Sequence, residues 1–196
     1  VPGSEFHLTE YFAPVLGVMR VDTLEEAIEA VNDVDYGLTS GLHTLDTEEL
    51  ATWLEGIEAG NLYVNRGITG AIVRRQPFGG WKKSTVGSGT KAGGPNYLVA
   101  LTDWEPDHAT ATTVPQSVAV REVLATAEGA SLCGAKDFEF IKRSASSDAH
   151  AWETEFGYGH DPSKLGVERN ILRYLPTQVL VRADESAPAA EVVRVV

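Results

Sequence analysis

Arg66, Arg74, Arg75, Lys82, Lys83 and Lys91 stand in a stretch, residues 59 to 102, that contains no carboxylate. The whole chain has 16 Lys and Arg against 28 Asp and Glu, a formal charge of −12, so its charges are segregated along the sequence. Such segregation predicts a local positive field, which favours a small anion such as a carboxylate or phosphate. Glycines run through the same stretch at positions 67, 70, 79, 80, 87, 89, 93 and 94. Lacking a Cβ, they let backbone N–H groups approach a ligand directly. A solvated basic loop is the plain alternative, and charge alone does not separate the two. Other chemistry is sparse. The single cysteine, Cys133, has no histidine partner that would make it a thiolate and reads as a small apolar residue. His7, His43, His108, His150 and His160 lack metal-ligand spacing, so no metal site is expected.

The elements that must position the glycine-rich stretch are legible from periodicity and caps. Phe12 to Val21 is apolar and rich in β-formers and reads as a buried strand. Thr23-Leu-Glu-Glu26 forms a capping box, followed by Leu24, Ala27, Ile28 and Val31 at helical spacing. Asp35-Tyr-Gly37 reads as a turn and Leu38 to Leu45 as a second strand. Asp46 is placed to cap the next helix, with Leu50, Trp53, Leu54 and Ile57 as its buried stripe and Gly60 as a left-handed C-cap. Leu62-Tyr-Val-Asn65 is a short third strand that feeds the basic loop. Strands alternating with helices at these lengths predict an α/β fold with a helix-covered, mainly parallel sheet. Ligands in such sheets bind beyond the carboxyl ends of strands, and the basic loop begins at one.

Composition shifts near Glu105-Pro106. The expected organisation is one domain over 1–105, a linker or oligomerisation arm over 106–117, and a partial α/β segment over 118–196. In the last segment Val118 to Ala127 and Phe138 onward read as helices. Ser144 to Ser163 reads as a long loop, and Asn170 to Tyr174 and Gln178 to Arg182 as strands.

Composition excludes several classes. Hydrophobic residues at 43% and charged residues at 22% allow a buried core. No apolar run reaches the ~20 residues that span a bilayer, so no transmembrane segment is expected. The acidic balance argues against nucleic acid. One cysteine rules out an internal disulfide framework and fits a reducing, cytoplasmic setting. Val1-Pro-Gly-Ser at one end and a barely begun helix after Pro188 at the other suggest a piece of a longer protein.

Five short motifs in order carry a resemblance. Glu10-Tyr-Phe12-Ala-Pro14, the helix from Leu24, Asp35-Tyr-Gly-Leu38, Gly60-Asn-Leu-Tyr-Val-Asn65 and Pro77-Phe-Gly-Gly80 resemble elements of the aldehyde dehydrogenases. The runs Thr69-Gly-Ala-Ile-Val73, Gln76 to Ser84 and Lys91 to Leu98 are similar to the glutamate-γ-semialdehyde (Δ1-pyrroline-5-carboxylate) dehydrogenase branch. The form they resemble is the one fused into bacterial proline utilisation A proteins. The likeness is close over 8–105 and looser over 106–196, where His160 to Leu165, Glu168-Arg-Asn170 and Arg173-Tyr-Leu-Pro176 resemble the carboxyl-terminal segment of those proteins.

The resemblance implies a set of roles. Glu10 would hold the nicotinamide ribose of NAD, and Phe12 would pack beside the nicotinamide ring. Gly70 and Ala71 would offer backbone N–H groups to the α-carboxylate of an aldehyde substrate, and Phe78 would line its aliphatic chain. The family's cysteine nucleophile and glutamate base fall outside this sequence, so no catalytic residue is assigned and the isolated chain is expected to be inactive. FAD would enter only with a proline dehydrogenase domain fused upstream. A homo-oligomer is implied, through an extended arm at Leu101 to Val114. A non-catalytic self-association module, or a dehydrogenase for another aldehyde, are the alternatives.

Overall fold

Thr23 and Asp46 each start a helix as their context demands. Thr23 accepts a hydrogen bond from Glu26 N at 3.2 Å and opens α2 (Leu24–Asn32), which follows a short α1 (Glu5–Leu8). The Glu26 carboxylate returns to Asp22 N at 2.9 Å, one residue further back than the capping box predicts. Asp46 accepts from Glu48 N at 2.7 Å and Glu49 N at 3.4 Å and opens α3 (Thr47–Gly56). Trp53 and Ile57 are each 3% exposed, so the predicted stripe is the one that is buried. This computed structural model describes residues 1–87, 89–105 and 114–195. The chain divides into two units, Val1–Asp103 with Pro162–Asn170, and Trp104–Asp161 with Ile171–Val196.

In the first unit, β2 (Thr39–Leu42) and β3 (Asn61–Val64) pair in parallel, from Thr39 opposite Asn61 to Leu42 opposite Val64. α3 is their crossover, because parallel neighbours need a long connection. β1 (Tyr36–Gly37) pairs antiparallel with β4 (Trp81–Lys82), so the predicted turn at Asp35 to Gly37 also carries a short strand. His7 joins α1 to α2. Gly3 N–H donates to its Nδ1 at 2.9 Å, so Nε2 carries the proton and donates to Ala30 O at 2.8 Å.

Two expectations for this unit fail. Phe12 to Val21 is extended but enters no ladder among the described residues, and Phe12, Leu16 and Val18 are 96%, 86% and 82% exposed. A strand needs a partner edge for its N–H and C=O groups, and none of the described residues offers one. Gly60 does not cap α3, whose C-cap is Ile57. Instead Gly60 permits close backbone approach: a Cβ there would lie 2.0 Å from Gly79 O.

The second unit is helical. Ser117 caps α4 (Val118–Gly129), which packs against α5 (Ala135–Ala151); α6 (Ala189–Val195) begins directly after Pro188. The loop expected from Ser144 is instead the second half of α5, followed by a π-helical turn at Trp152–Phe156. Ala145 and Ala149 continue the face begun by Phe138 and Ile141, a stripe too small-sided to stand out among Ser, Asp and His. Asp148 on that half pairs with Arg194 of α6 at 2.9 Å. The strands expected over Asn170 to Tyr174 and Gln178 to Arg182 reduce to one bridge, His160 opposite Leu172. Of the expected 106–117 arm, residues 106–113 lie outside the described residues.

Candidate functional site

The glycine-rich loop leaves the carboxyl end of β3 and is fixed at both margins. At its entrance Asn65 adopts φ 55°. Its amide exchanges two hydrogen bonds with the Thr44 backbone, at 3.0 and 2.8 Å. At its exit Gln76 Oε1 accepts from Ile72 N at 2.9 Å, and Gln76 Nε2 donates to Asn170 Oδ1 at 2.6 Å. Between these margins Gly70 has φ 84°, a conformation that favours glycine. Gly70 and Ala71 are exposed, and their N–H groups find no acceptor among the described residues. Two adjacent, unengaged N–H groups on a margin-locked loop can receive an anion.

The neighbouring turn is held by Asn61 and Lys91 in roles that the sequence did not indicate. Asn61, buried in β3, donates to Pro77 O and accepts from Gly79 N, each at 3.0 Å. Lys91 Nζ donates to Gly60 O at 2.5 Å and Gly79 O at 2.7 Å. Burial pushes the Lys91 ammonium below its usual 10.5. Phe78 in this turn exchanges backbone hydrogen bonds with Ala92 at 3.0 and 2.8 Å, and its side chain stays 40% exposed. Lys91→Met removes the donor to both carbonyls, and losing a charged donor costs about 1.5–3 kcal/mol. A lowered thermal unfolding midpoint for the Met variant is the expected result. The depressed ammonium also fixes a sign. Just below 10.5 the unfolded chain binds more protons than the folded one, so Lys91 alone makes folding more favourable as pH rises there. The Met variant should lack that component of the alkaline stability profile.

The expected positive field is about half offset, with three carboxylates set against the six cations. Arg66 and Arg75 approach Glu168 at 3.2 and 3.9 Å, and Lys82 meets Glu58 at 2.7 Å. Lys83 pairs with Asp35, whose hydrogen bond and charge raise the ammonium and lower the carboxyl. Of the six cations, Arg74 and Lys91 have no acidic partner among the described residues. The N–H groups of Gly70 and Ala71 remain without an acceptor among the described residues. Folding brings in the neutralising acids from residues 35, 58 and 168, which no local sequence window reveals.

Gly70, Ala71 and Phe78 thus lie on adjoining, fixed loops. Glu10 and Phe12 lie on the exposed amino-terminal segment, and no hydrogen bond or ring contact among the described residues joins them to residues 70–78. Cys133 is half-buried beside the start of α5 and bonds to no basic side chain among the described residues. No cluster of metal-ligating side chains occurs among the described residues. No described helix is long and apolar enough to cross a membrane.

The aldehyde dehydrogenase family model matches residues 2–105. The bifunctional protein PutA of Rhizobium meliloti is 47% identical over 111 residues, which cover 54% of this chain and 9% of that protein. The 1-pyrroline-5-carboxylate dehydrogenase of Staphylococcus haemolyticus is 47% identical over 90 residues, covering 46% of this chain and 17% of that protein. The solved structure of proline utilization A from Corynebacterium freiburgense covers 100% of this chain and 19% of its own, with a TM-score of 0.84 and 45% identity. The chain therefore spans less than a fifth of the length of each of these proteins. The likeness in fold extends beyond the family match, through the helical second unit. On the match over more than half its length, this chain belongs to the aldehyde dehydrogenase family.

Proposed function

We propose that this chain supplies the substrate-carboxylate anchor, and part of the nicotinamide site, of a dehydrogenase that oxidises glutamate-γ-semialdehyde to glutamate with NAD. The observation that carries it is the pair of unengaged N–H groups at Gly70 and Ala71 on a loop fixed at both ends. They hold the α-carboxylate, while the half-exposed Phe78 ring covers the aliphatic chain and excludes water from it. The name of the Staphylococcus haemolyticus relative, 1-pyrroline-5-carboxylate dehydrogenase, points to the same substrate class.

NAD suits the residues present. The Glu10 carboxylate is exposed and bonds to no described residue, so both oxygens are available to ribose hydroxyls, and Phe12 presents an exposed ring to a planar face. When bound, NAD accepts the hydride. This chain's part is to place the aldehyde through its carboxylate; it contributes no nucleophile, since Cys133 stands in the second unit without a base. A homo-oligomeric, cytoplasmic enzyme accompanies this reading.

A chain-matched pair of aldehydes tests it in a complete enzyme carrying this sequence. Glutamate-γ-semialdehyde should exceed an aldehyde lacking the α-carboxylate in kcat/KM by at least about tenfold, given ~1.5–3 kcal/mol per charge-assisted hydrogen bond. Equal kcat/KM values would remove the anchor. The isolated chain should form no NADH with either aldehyde.

A self-association role is favoured by a separate observation. Phe12, Leu16 and Val18, and in the second unit Val179 and Leu180, expose apolar side chains from segments that join no ladder among the described residues. Such edges pair readily with another chain. Sedimentation of the isolated chain should show concentration-dependent association; a monomer at all concentrations would count against this role.

A further inference from the structure

Residues 162–170 belong to the first unit although about ninety residues separate them from the loop they meet. Asn170 is 9% exposed and sits at the middle of a chain of hydrogen bonds whose direction is fixed from one end. The Ile72 N–H can only donate, so the Gln76 atom facing it at 2.9 Å is the oxygen. Gln76 therefore presents its nitrogen to Asn170, and Asn170 receives it with Oδ1 at 2.6 Å. That leaves the Asn170 nitrogen to donate to Ser163 Oγ at 2.9 Å and Glu168 Oε1 at 3.1 Å. Glu168 completes the set by accepting from Arg66 at 3.2 Å. Arg66 and Gln76 bracket the segment that carries Gly70 and Ala71.

Resting on the carboxylate-anchor reading, we propose that Asn170 and Glu168 are positioning residues for substrate recognition. They orient Gln76 and Arg66 so that the Gly70 and Ala71 N–H groups converge on one carboxylate. Neither residue touches substrate. Their effect is transmitted by the Gln76 amide, which has one orientation that satisfies both the Ile72 N–H and Asn170. The Gln76 amide is part-buried and its partner Asn170 is buried, so breaking the bond between them leaves polar groups unpaired with little access to water.

The test measures KM and kcat in a complete enzyme carrying this sequence, for glutamate-γ-semialdehyde and for a chain-matched aldehyde without the carboxylate. Asn170→Leu and Gln76→Leu should each raise KM for the semialdehyde about tenfold while changing the neutral aldehyde less than about twofold. The double variant should be no worse than either single one, because both cut the same chain of hydrogen bonds. Should Asn170→Leu fail to fold, Gln76→Leu carries the same comparison from the other end of the chain. The proposal is overturned if both aldehydes lose equally or if the double variant multiplies the single effects. A selective loss in Gly70→Val without one in these variants would remove the positioning role and leave the anchor standing. A non-selective loss in Gly70→Val would remove the anchor itself.

Discussion

A Gly70→Val substitution in a complete enzyme carrying this sequence should raise KM for glutamate-γ-semialdehyde by at least about tenfold, the equivalent of one charge-assisted hydrogen bond. Two effects add. At φ 84° a β-branched residue is strained, so the peptide planes that aim the two N–H groups must turn. The added methyls also stand in front of the groups that a carboxylate has to reach. Packing is not the cause, since a Cβ at Gly70 meets nothing within 4 Å. An aldehyde without the α-carboxylate should keep its KM, and NAD affinity should not move, because Glu10 and Phe12 are untouched. Equal loss for both aldehydes would mean that the loop is only structural.

The second large effect lies at Gly60. Alanine there places its Cβ 2.0 Å from Gly79 O and 2.8 Å from Gly80 Cα, both backbone atoms that cannot rotate away. The start of β3 and the turn carrying Phe78 would have to separate, breaking the Asn61 and Lys91 hydrogen bonds that join them. Overpacking of this kind together with lost buried hydrogen bonds is expected to cost more than about 3 kcal/mol. Gly60→Ala should therefore unfold at a clearly lower temperature or fail to accumulate as soluble protein. Gly67→Ala is the control: nothing lies within 4 Å of its Cβ, and its φ is outside the left-handed region. It should change stability by less than about 0.5 kcal/mol.

These two glycines show what the sequence makes legible. The helix caps at Thr23 and Asp46, the Trp53 and Ile57 stripe and the β2–α3–β3 step follow from local rules that act within a few residues. That a long loop follows β3 was also legible, from the glycines after Asn65. Gly60 was misassigned because a glycine after a helix usually marks its end, whereas here it admits a backbone 19 residues later. The charge argument is weakened for a related reason. Glu168 meets Arg66 across 102 residues, and Lys83 meets Asp35 across 48, so segregation along the chain is partly offset by folding. Phe12 to Val21 has the composition of a strand, but a strand is a property of a pair of segments. The second half of α5 was hidden because its inward face is built from the half-buried Ala145 and Ala149. Asn61, Gln76, Lys91 and Asn170 stand in the quoted motifs, but their structural roles were not legible, because these consist of bonds to backbone or to distant side chains.

The central claim is that two backbone N–H groups receive the substrate's carboxylate. A crystal structure of a complete enzyme carrying this sequence, with the product glutamate bound, tests it most directly. The α-carboxylate should lie about 2.7–3.2 Å from both Gly70 N and Ala71 N, with the Phe78 ring against the methylene carbons. A carboxylate seated on Arg74, or on any group other than these two nitrogens, would contradict the assignment.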